Sequence, residues 1–255
     1  MPPRGLKALL KKTAPARLRR GRRQAFVTKG SPKSVLRGLT KCLERKLFSS
    51  GRMPESVLRG GVRRGGWQGQ GGGRRRGAAV DAQVSNLVNR GCTKPKGSQY
   101  KLTKLTLAAL SAHNLEPVCA QRAVCNAALR IGTAIDVLCY DTESNCLTVV
   151  ELKCGHSGCK TTAAELSNGT IRCNMKAPMS HTADSTLNRH MAQLACTRQL
   201  FINEEDTLAR VASLGVDAQV DGALLYVDDS GAQLFHLHEW WRKRAHKMVA
   251  SICAR

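Results

Sequence analysis

The chain has 255 residues, enough for one sizeable core, and a formal net charge of +23. No apolar run reaches the ~18 residues that a membrane-spanning helix needs, and aromatic residues make up only 4%, which argues against a large set of base-stacking platforms. The charge is lopsided: residues 1–90 carry 23 Lys and Arg against Glu44, Glu55 and Asp81, whereas residues 91–255 carry 18 against 15 acids.

The first third reads as a basic arm. "RLRRGRR" (17–23) and "GGVRRGGWQGQGGGRRRG" (60–77) are Arg/Gly-rich and of low complexity, and such segments bury too little apolar surface to offset the entropy of ordering. Residues 1–96 are therefore expected to be a disordered arm, and 97–255 the folded domain. Within the arm, Val35, Leu36, Leu39, Leu43 and Leu47 recur at helical spacing and predict an isolated or docked helix over 34–48. Three roles suit the arm: a solubilising tail, an electrostatic contact to phosphate backbones through Arg19, Arg20, Arg22, Arg23, Arg74, Arg75 and Arg76, or a targeting peptide, since the first forty residues contain no acid. On this view a protein lacking residues 1–90 should still fold.

From residue 97 the pattern becomes that of an α/β domain. "SQYKLTKLTLAALSAHN" (98–114) predicts a helix with Leu102, Leu105, Leu107, Ala109 and Leu110 on its apolar stripe. Strands are expected over Pro117–Asn126, Ile131–Tyr140 and Cys146–Lys153, the last two joined by the turn "DTESN" (141–145). After a Gly/Ser/Thr-rich stretch, a helix over 185–201 opens on the capping signal "DST" (184–186). "GALLYVDDSGAQLFHLHEWW" (222–241) reads as a second hairpin, and a basic helix, Trp240–Ile252, follows. Mixed strands with interspersed helices imply a central sheet flanked by helices.

The hairpin over 131–153 holds charges where a buried ribbon would carry Val or Leu. Side chains alternate along a strand, so Leu147, Val149, Glu151 and Lys153 share a face. A four-residue loop over Thr142–Asn145 pairs Asp141 with Cys146 and brings Asp136 opposite Glu151. Facing carboxylates destabilise a ladder, more so when buried. Lys153 supplies one positive charge against two negative, and a divalent cation is the natural remainder. The competing reading is a salt-bridge cluster at the open end of a hairpin.

"GTAID" (132–136), fourteen residues, then "VELK" (150–153) resembles the PD-(D/E)XK nuclease superfamily, and "NRHMAQLACTRQLF" (188–201) resembles the Gln-bearing helix of its RecB-like and lambda-exonuclease-like branch, with Gln193 in the matching place. The resemblance spans about residues 98–250. It implies a restriction-endonuclease-like core of αβββαβ order. It also implies hydrolysis of DNA phosphodiester bonds with Mg²⁺ or Mn²⁺, held by Asp136, Glu151 and the backbone carbonyl of Leu152. Lys153 and Gln193 would orient water or stabilise developing charge. The helix over 98–114 offers no acid, and Glu116, just after it, is a loose candidate for a further one. The alternative is a catalytically silent protein that keeps the nuclease fold and binds nucleic acid as a structural or packaging component.

Other groupings carry less. Cys154, His156, Cys159 and Cys173 have no usual zinc-module spacing and read as loop residues. His236 and His238 read as surface or structural groups. Trp240 reads as core, whereas Arg242, Lys243 and Arg244 could equally face a phosphate backbone or solvent. Eleven cysteines, an odd number without a C-x-x-C pair, suggest free thiols and a reducing, intracellular setting, with a nucleus, a viral factory or a mitochondrion as options. DNA is the expected partner, and no membrane is.

Overall fold

The computed structural model describes residues 1–19, 25–29, 35–49, 72–92, 99–155, 159–169, 171 and 173–252. In chain order the elements are α1 (Leu6–Thr13), β1 (Ala16–Arg19), β2 (Ala25–Thr28), β3 (Val35–Gly38), α2 (Leu39–Lys46), α3 (Gly72–Asn89) and α4 (Lys101–Ala112). Then come β4 (Leu115–Asn126), β5 (Ile131–Asp141), β6 (Cys146–Cys154), α5 (Cys159–Ser167), α6 (Thr186–Ile202), α7 (Glu205–Ala212), β7 (Val220–Asp228), β8 (Gly231–His236) and α8 (Glu239–Ser251).

The architecture is α/β: a mixed sheet of order β1-β2-β3-β5-β6-β7-β8, with β4 pairing β5 off this path, flanked by helices. β4, β5 and β6 are successive antiparallel neighbours, while β6 and β7 run parallel. A parallel pair needs a crossover, and α5, α6 and α7 lie within it. Alternation along β6 and β7 divides the core into two layers. Leu147, Val149, Leu224 and Tyr226 pack with α1, α2, α6 and α8. Val150, Leu152, Ala223, Leu225 and Val227 pack with α3 and α4. The start of α6 is set by Ser185, whose side chain accepts from the Asn188 N–H at 3.2 Å. Asp184, from the same capping signal, instead holds buried Arg189 at 2.6 and 2.9 Å and accepts from the Ser49 N–H at 2.8 Å. No helix among the described residues is long and apolar enough to cross a membrane.

The boundary expected at residue 96 does not mark the edge of this core. Leu6 and Leu10 of α1 are fully buried, as are Leu43 of α2 and Leu47 just after it. Residues 35–38 are a strand and the helix begins only at Leu39, where the spacing had suggested one helix over 34–48. β3 pairs parallel with β5 through Arg37↔Ile131 and Gly38↔Gly132. α3 buries Val80, Val84 and Val88, a stripe with a period of four. Charged groups reinforce these contacts. Arg122 on β4 donates to the Leu10 carbonyl at 3.2 Å and to both carboxylate oxygens of Glu204 at 3.0 and 2.6 Å, its guanidinium 4.9 Å from the centre of the Phe201 ring. Lys7 reaches the Val88 carbonyl at 2.7 Å, tying α1 to the end of α3. The described residues before 90 thus cover both faces of the sheet, and a protein lacking residues 1–90 is expected not to fold on its own.

Candidate active site

β5 meets β4 along one edge for its whole length, but its other edge is shared. β6 pairs with it from Val137↔Val150 to Asp141↔Cys146, and β3 pairs only with Ile131 and Gly132. The expected register holds over these five rungs with β6. It ends one residue before Asp136 and Glu151, where β6 leaves β5 and continues along β7 as far as Cys154. In the opening the Leu152 N–H, past the last rung, donates to Asp136 Oδ2 at 3.0 Å. Asp136 and Glu151 are thus neighbours across a fork, close enough for the charge of Asp136 to act on Glu151.

On the Glu151 side, three groups meet. Lys153 Nζ donates to Glu151 Oε1 at 2.6 Å, and Gln193 Nε2, from α6, donates to the same oxygen at 2.6 Å. Lys153 Nζ also lies 3.4 Å from Gln193 Oε1. Glu151 is 2% exposed and the Lys153 side chain 19%. Glu151 is thus buried and Lys153 only partly exposed.

On the Asp136 side lie two residues that no sequence feature had marked. Gln121 of β4 donates from Nε2 to Asp81 Oδ1 at 2.9 Å and to Asp136 Oδ1 at 3.3 Å. Asp81 comes from α3, in the opposite layer to Gln193. It is a third acid close to the fork, whereas Glu116 sits near the far end of the β4–β5 ladder opposite Tyr140. Gln121 has φ 53° in mid-strand; Asn114, Arg130 and Asn145, the other non-glycine residues with positive φ among those described, lie in turns. A side chain in this region costs about 1–2 kcal/mol. The distortion changes the face of both strands. Ile131 and Ile135 pack in one layer, whereas Val137 and Cys139, at the same parity, pack in the other; Ala120 and Val124 on β4 do the same.

Around Glu151, Asp136 and Asp81 add like charge and Lys153 adds the opposite one. Burial first, and the Asp136 charge second, push Glu151 up to about 7, against the pull of Lys153. Asp136 is raised too, chiefly by burial. Burial alone would lower Lys153, but the charges of Glu151 and Asp136 outweigh it and hold the ammonium protonated. The adjacent Cys154 thiol is pushed up to about 12 by burial and then by Asp81 and Asp136, which makes it unreactive.

A group whose folded-state pKa lies above its unfolded value contributes stability at low pH and loses it as pH rises through the folded value. The Glu151 carboxyl is therefore expected to cost the metal-free protein stability as pH rises from about 4.5 to about 7. Glu151→Gln keeps the acceptor oxygen and removes the charge. It should raise stability at pH 8 by up to roughly 3 kcal/mol and leave it little changed at pH 4.5. Thermal melts of both proteins in EDTA at the two pH values check this; a difference independent of pH would refute it.

The donor set suits a hard cation. Two facing carboxylates with surplus negative charge and only oxygen ligands favour Mg²⁺ or Mn²⁺ over zinc. Among the described residues no group of three or more His, Cys, Asp and Glu is placed to hold a metal ion, so the protein would supply Asp136 and Glu151, with the Leu152 carbonyl as the further expected donor. Cys154 and Cys173 are free thiols, and His156 lies outside the described residues.

Compared with protein-family models, curated proteins and solved structures, the chain matches none. The functional reading therefore rests on the geometry of the fork.

Arg20, Arg22 and Arg23 lie outside the described residues, Arg19 ends β1, and Arg74 and Arg75 belong to the first turn of α3. Arg76 forms a two-pronged pair with Asp229, Arg242 holds Asp221 at 2.7 Å, and Lys243 holds Glu239 at 2.9 Å. These three are already opposed by carboxylates. Arg244 stacks on Trp240 at 4.1 Å, and His238 caps α8 by accepting from the Trp240 N–H at 3.1 Å.

Proposed function

We propose that the chain is a metal-dependent nuclease of the PD-(D/E)XK type that hydrolyses phosphodiester bonds of DNA. The observation that carries this reading is the convergence at the fork: Asp136, Glu151 and Lys153 from two separating strands, and Gln193 from the helix packed behind them. An ordinary salt bridge needs one acid and one base. Here two acids share one Lys, and a third acid, Asp81, raises Glu151 further. That arrangement costs stability in the metal-free protein and is expected where a cation and a phosphate are to be bound.

Each residue has a distinct task in this reading. Asp136 and Glu151 would hold Mg²⁺ or Mn²⁺, which would supply Lewis acidity and lower the pKa of a water. Lys153, protonated and partly open, is a donor toward the non-bridging phosphate oxygens, where negative charge grows as water attacks phosphorus. Gln193 fixes the Glu151 oxygen that Lys153 also holds, so that the ammonium points in one direction. From α4 through β7 the order is helix, three strands, three helices and a strand; with α6 behind the fork, this supports reading the core as restriction-endonuclease-like, with α5 and α7 as additions to the αβββαβ order.

Incubation of the full chain with labelled single- and double-stranded DNA, in Mg²⁺ or Mn²⁺ and in EDTA, tests the reading. Cleavage that requires the metal supports it. Binding without cleavage under every condition would overturn it in favour of the catalytically silent alternative.

A further inference from the structure

Gln121 is the least expected residue of the site. It lies between the rungs Ala120↔Val137 and Arg122↔Ile135, opposite Asp136, in a backbone conformation that side chains rarely adopt. Nothing about an ordinary β-strand calls for that geometry. Its consequence is specific: the amide nitrogen donates to Asp81 on one side and Asp136 on the other, at 2.9 and 3.3 Å. Two carboxylate acceptors also settle the amide orientation, since its oxygen would repel both. With Leu152 donating to the second Asp136 oxygen, both oxygens of that carboxylate are held.

We infer that Gln121 is a positioning residue: it sets the spacing of Asp81 and Asp136, fixes the rotation of the Asp136 carboxylate, and thereby preorganises the fork for a divalent cation. The inference rests on the metal-dependent reading above and goes beyond it. It assigns the distorted backbone of β4 a purpose, and it makes α3, through Asp81, part of the site. The neutral amide suits the task because it bridges two anions without adding a cation that would compete with the metal. Residues that orient a ligand in this way typically contribute 10–100-fold to metal affinity.

The backbone conformation separates positioning from mere structure. Gln121→Gly removes the amide but accepts the positive φ freely, so the strand keeps its shape. Gln121→Ala removes the same amide and keeps the unfavourable conformation. Asn adopts this conformation more readily than most residues and retains a shortened amide. The full chain and the three variants would be titrated with Mn²⁺ alone, by calorimetry, with melting temperatures in EDTA and cleavage rates against Mn²⁺ concentration measured alongside. The glycine variant is expected to melt above the alanine variant, yet to bind Mn²⁺ about 10–100-fold more weakly than the parent protein. Its cleavage rate should return to within a few-fold of the parent's at saturating Mn²⁺, because only the apparent metal affinity has moved. The asparagine variant should recover part of the affinity. Mn²⁺ affinity in the glycine variant equal to the parent's would overturn the inference while leaving the nuclease reading intact. A higher affinity would do the same, since the amide would then be a competitor of the metal. A parent protein that binds no Mn²⁺ would overturn both.

Discussion

Asp136→Asn and Glu151→Gln are each expected to lower the rate of DNA cleavage by about 10²–10³-fold or more at saturating metal, with DNA affinity changed only a few-fold. Both substitutions keep shape and one acceptor oxygen and remove one charge, and at residue 136 the amide nitrogen takes the place of the oxygen that accepts from Gln121. The Leu152 N–H still finds an oxygen on residue 136, and Lys153 and Gln193 still find one on residue 151. What disappears is the surplus negative charge that would hold a divalent cation. Lys153→Met should be as damaging to rate but for another reason: it withdraws the ammonium from the phosphate and leaves Glu151 buried beside Asp136 without a cation. Breaking such a buried pair costs roughly 3–5 kcal/mol, so this variant's rate must be read beside its circular dichroism and melting temperature. Gln193→Ala should be milder, on the order of tenfold, since Lys153 alone still orients Glu151. Full activity in either acid variant would remove the fork from the catalytic account, whatever the source of any cleavage observed.

The hairpin was legible because strand periodicity is a strong signal and its turn is short. A four-residue loop sets the pairing of Asp141 with Cys146, and every rung down to Val137↔Val150 follows. The helix bearing Gln193 was legible from its cap and stripe. Two kinds of information were not. Gln121 reaches the site through a left-handed residue in the middle of β4, and no local sequence rule places that conformation inside an apolar strand. Asp81 was hidden by composition: "GGRRRGAAVDAQVSNLVN" opens on glycine and arginine, which made residues 72–89 look like more of the arm. Yet Val80, Val84 and Val88 recur every fourth residue, and that stripe is the face α3 buries. A three-residue stripe inside a segment of strongly basic composition depends on tertiary packing for its meaning.

Removal of residues 1–90 is expected to abolish cooperative folding, not to release a compact catalytic core. Leu6, Leu10, Leu39, Leu43, Leu47, Phe48, Val80, Val84 and Val88 are all buried, and all lie in the deleted stretch. Each buried side chain of this size is associated with roughly 1.5–3 kcal/mol. The apolar surfaces they cover on the sheet and on α6 would turn to water, and the total is comparable with the ~5–15 kcal/mol by which a whole domain is stable. Polar contacts fail as well. Arg122 loses the Leu10 carbonyl, Asp184 loses the Ser49 N–H, and β5 loses its parallel neighbour β3. The site loses Asp81, so Gln121 keeps one of its two acceptors. Single substitutions separate packing from the mere loss of chain. Leu10→Ala, on the α1 side, and Val84→Ala, on the α3 side, each leave a cavity, with a cost of about 2–5 kcal/mol for the first and somewhat less for the smaller valine. Both should lower the melting temperature of the full chain, and because the sites lie in opposite layers their effects should add. Denaturant unfolding of the truncated protein and of the two variants decides the matter. A truncated protein that unfolds in one sharp transition near the parent's midpoint would show that α1, α2 and α3 cover the sheet without supporting it.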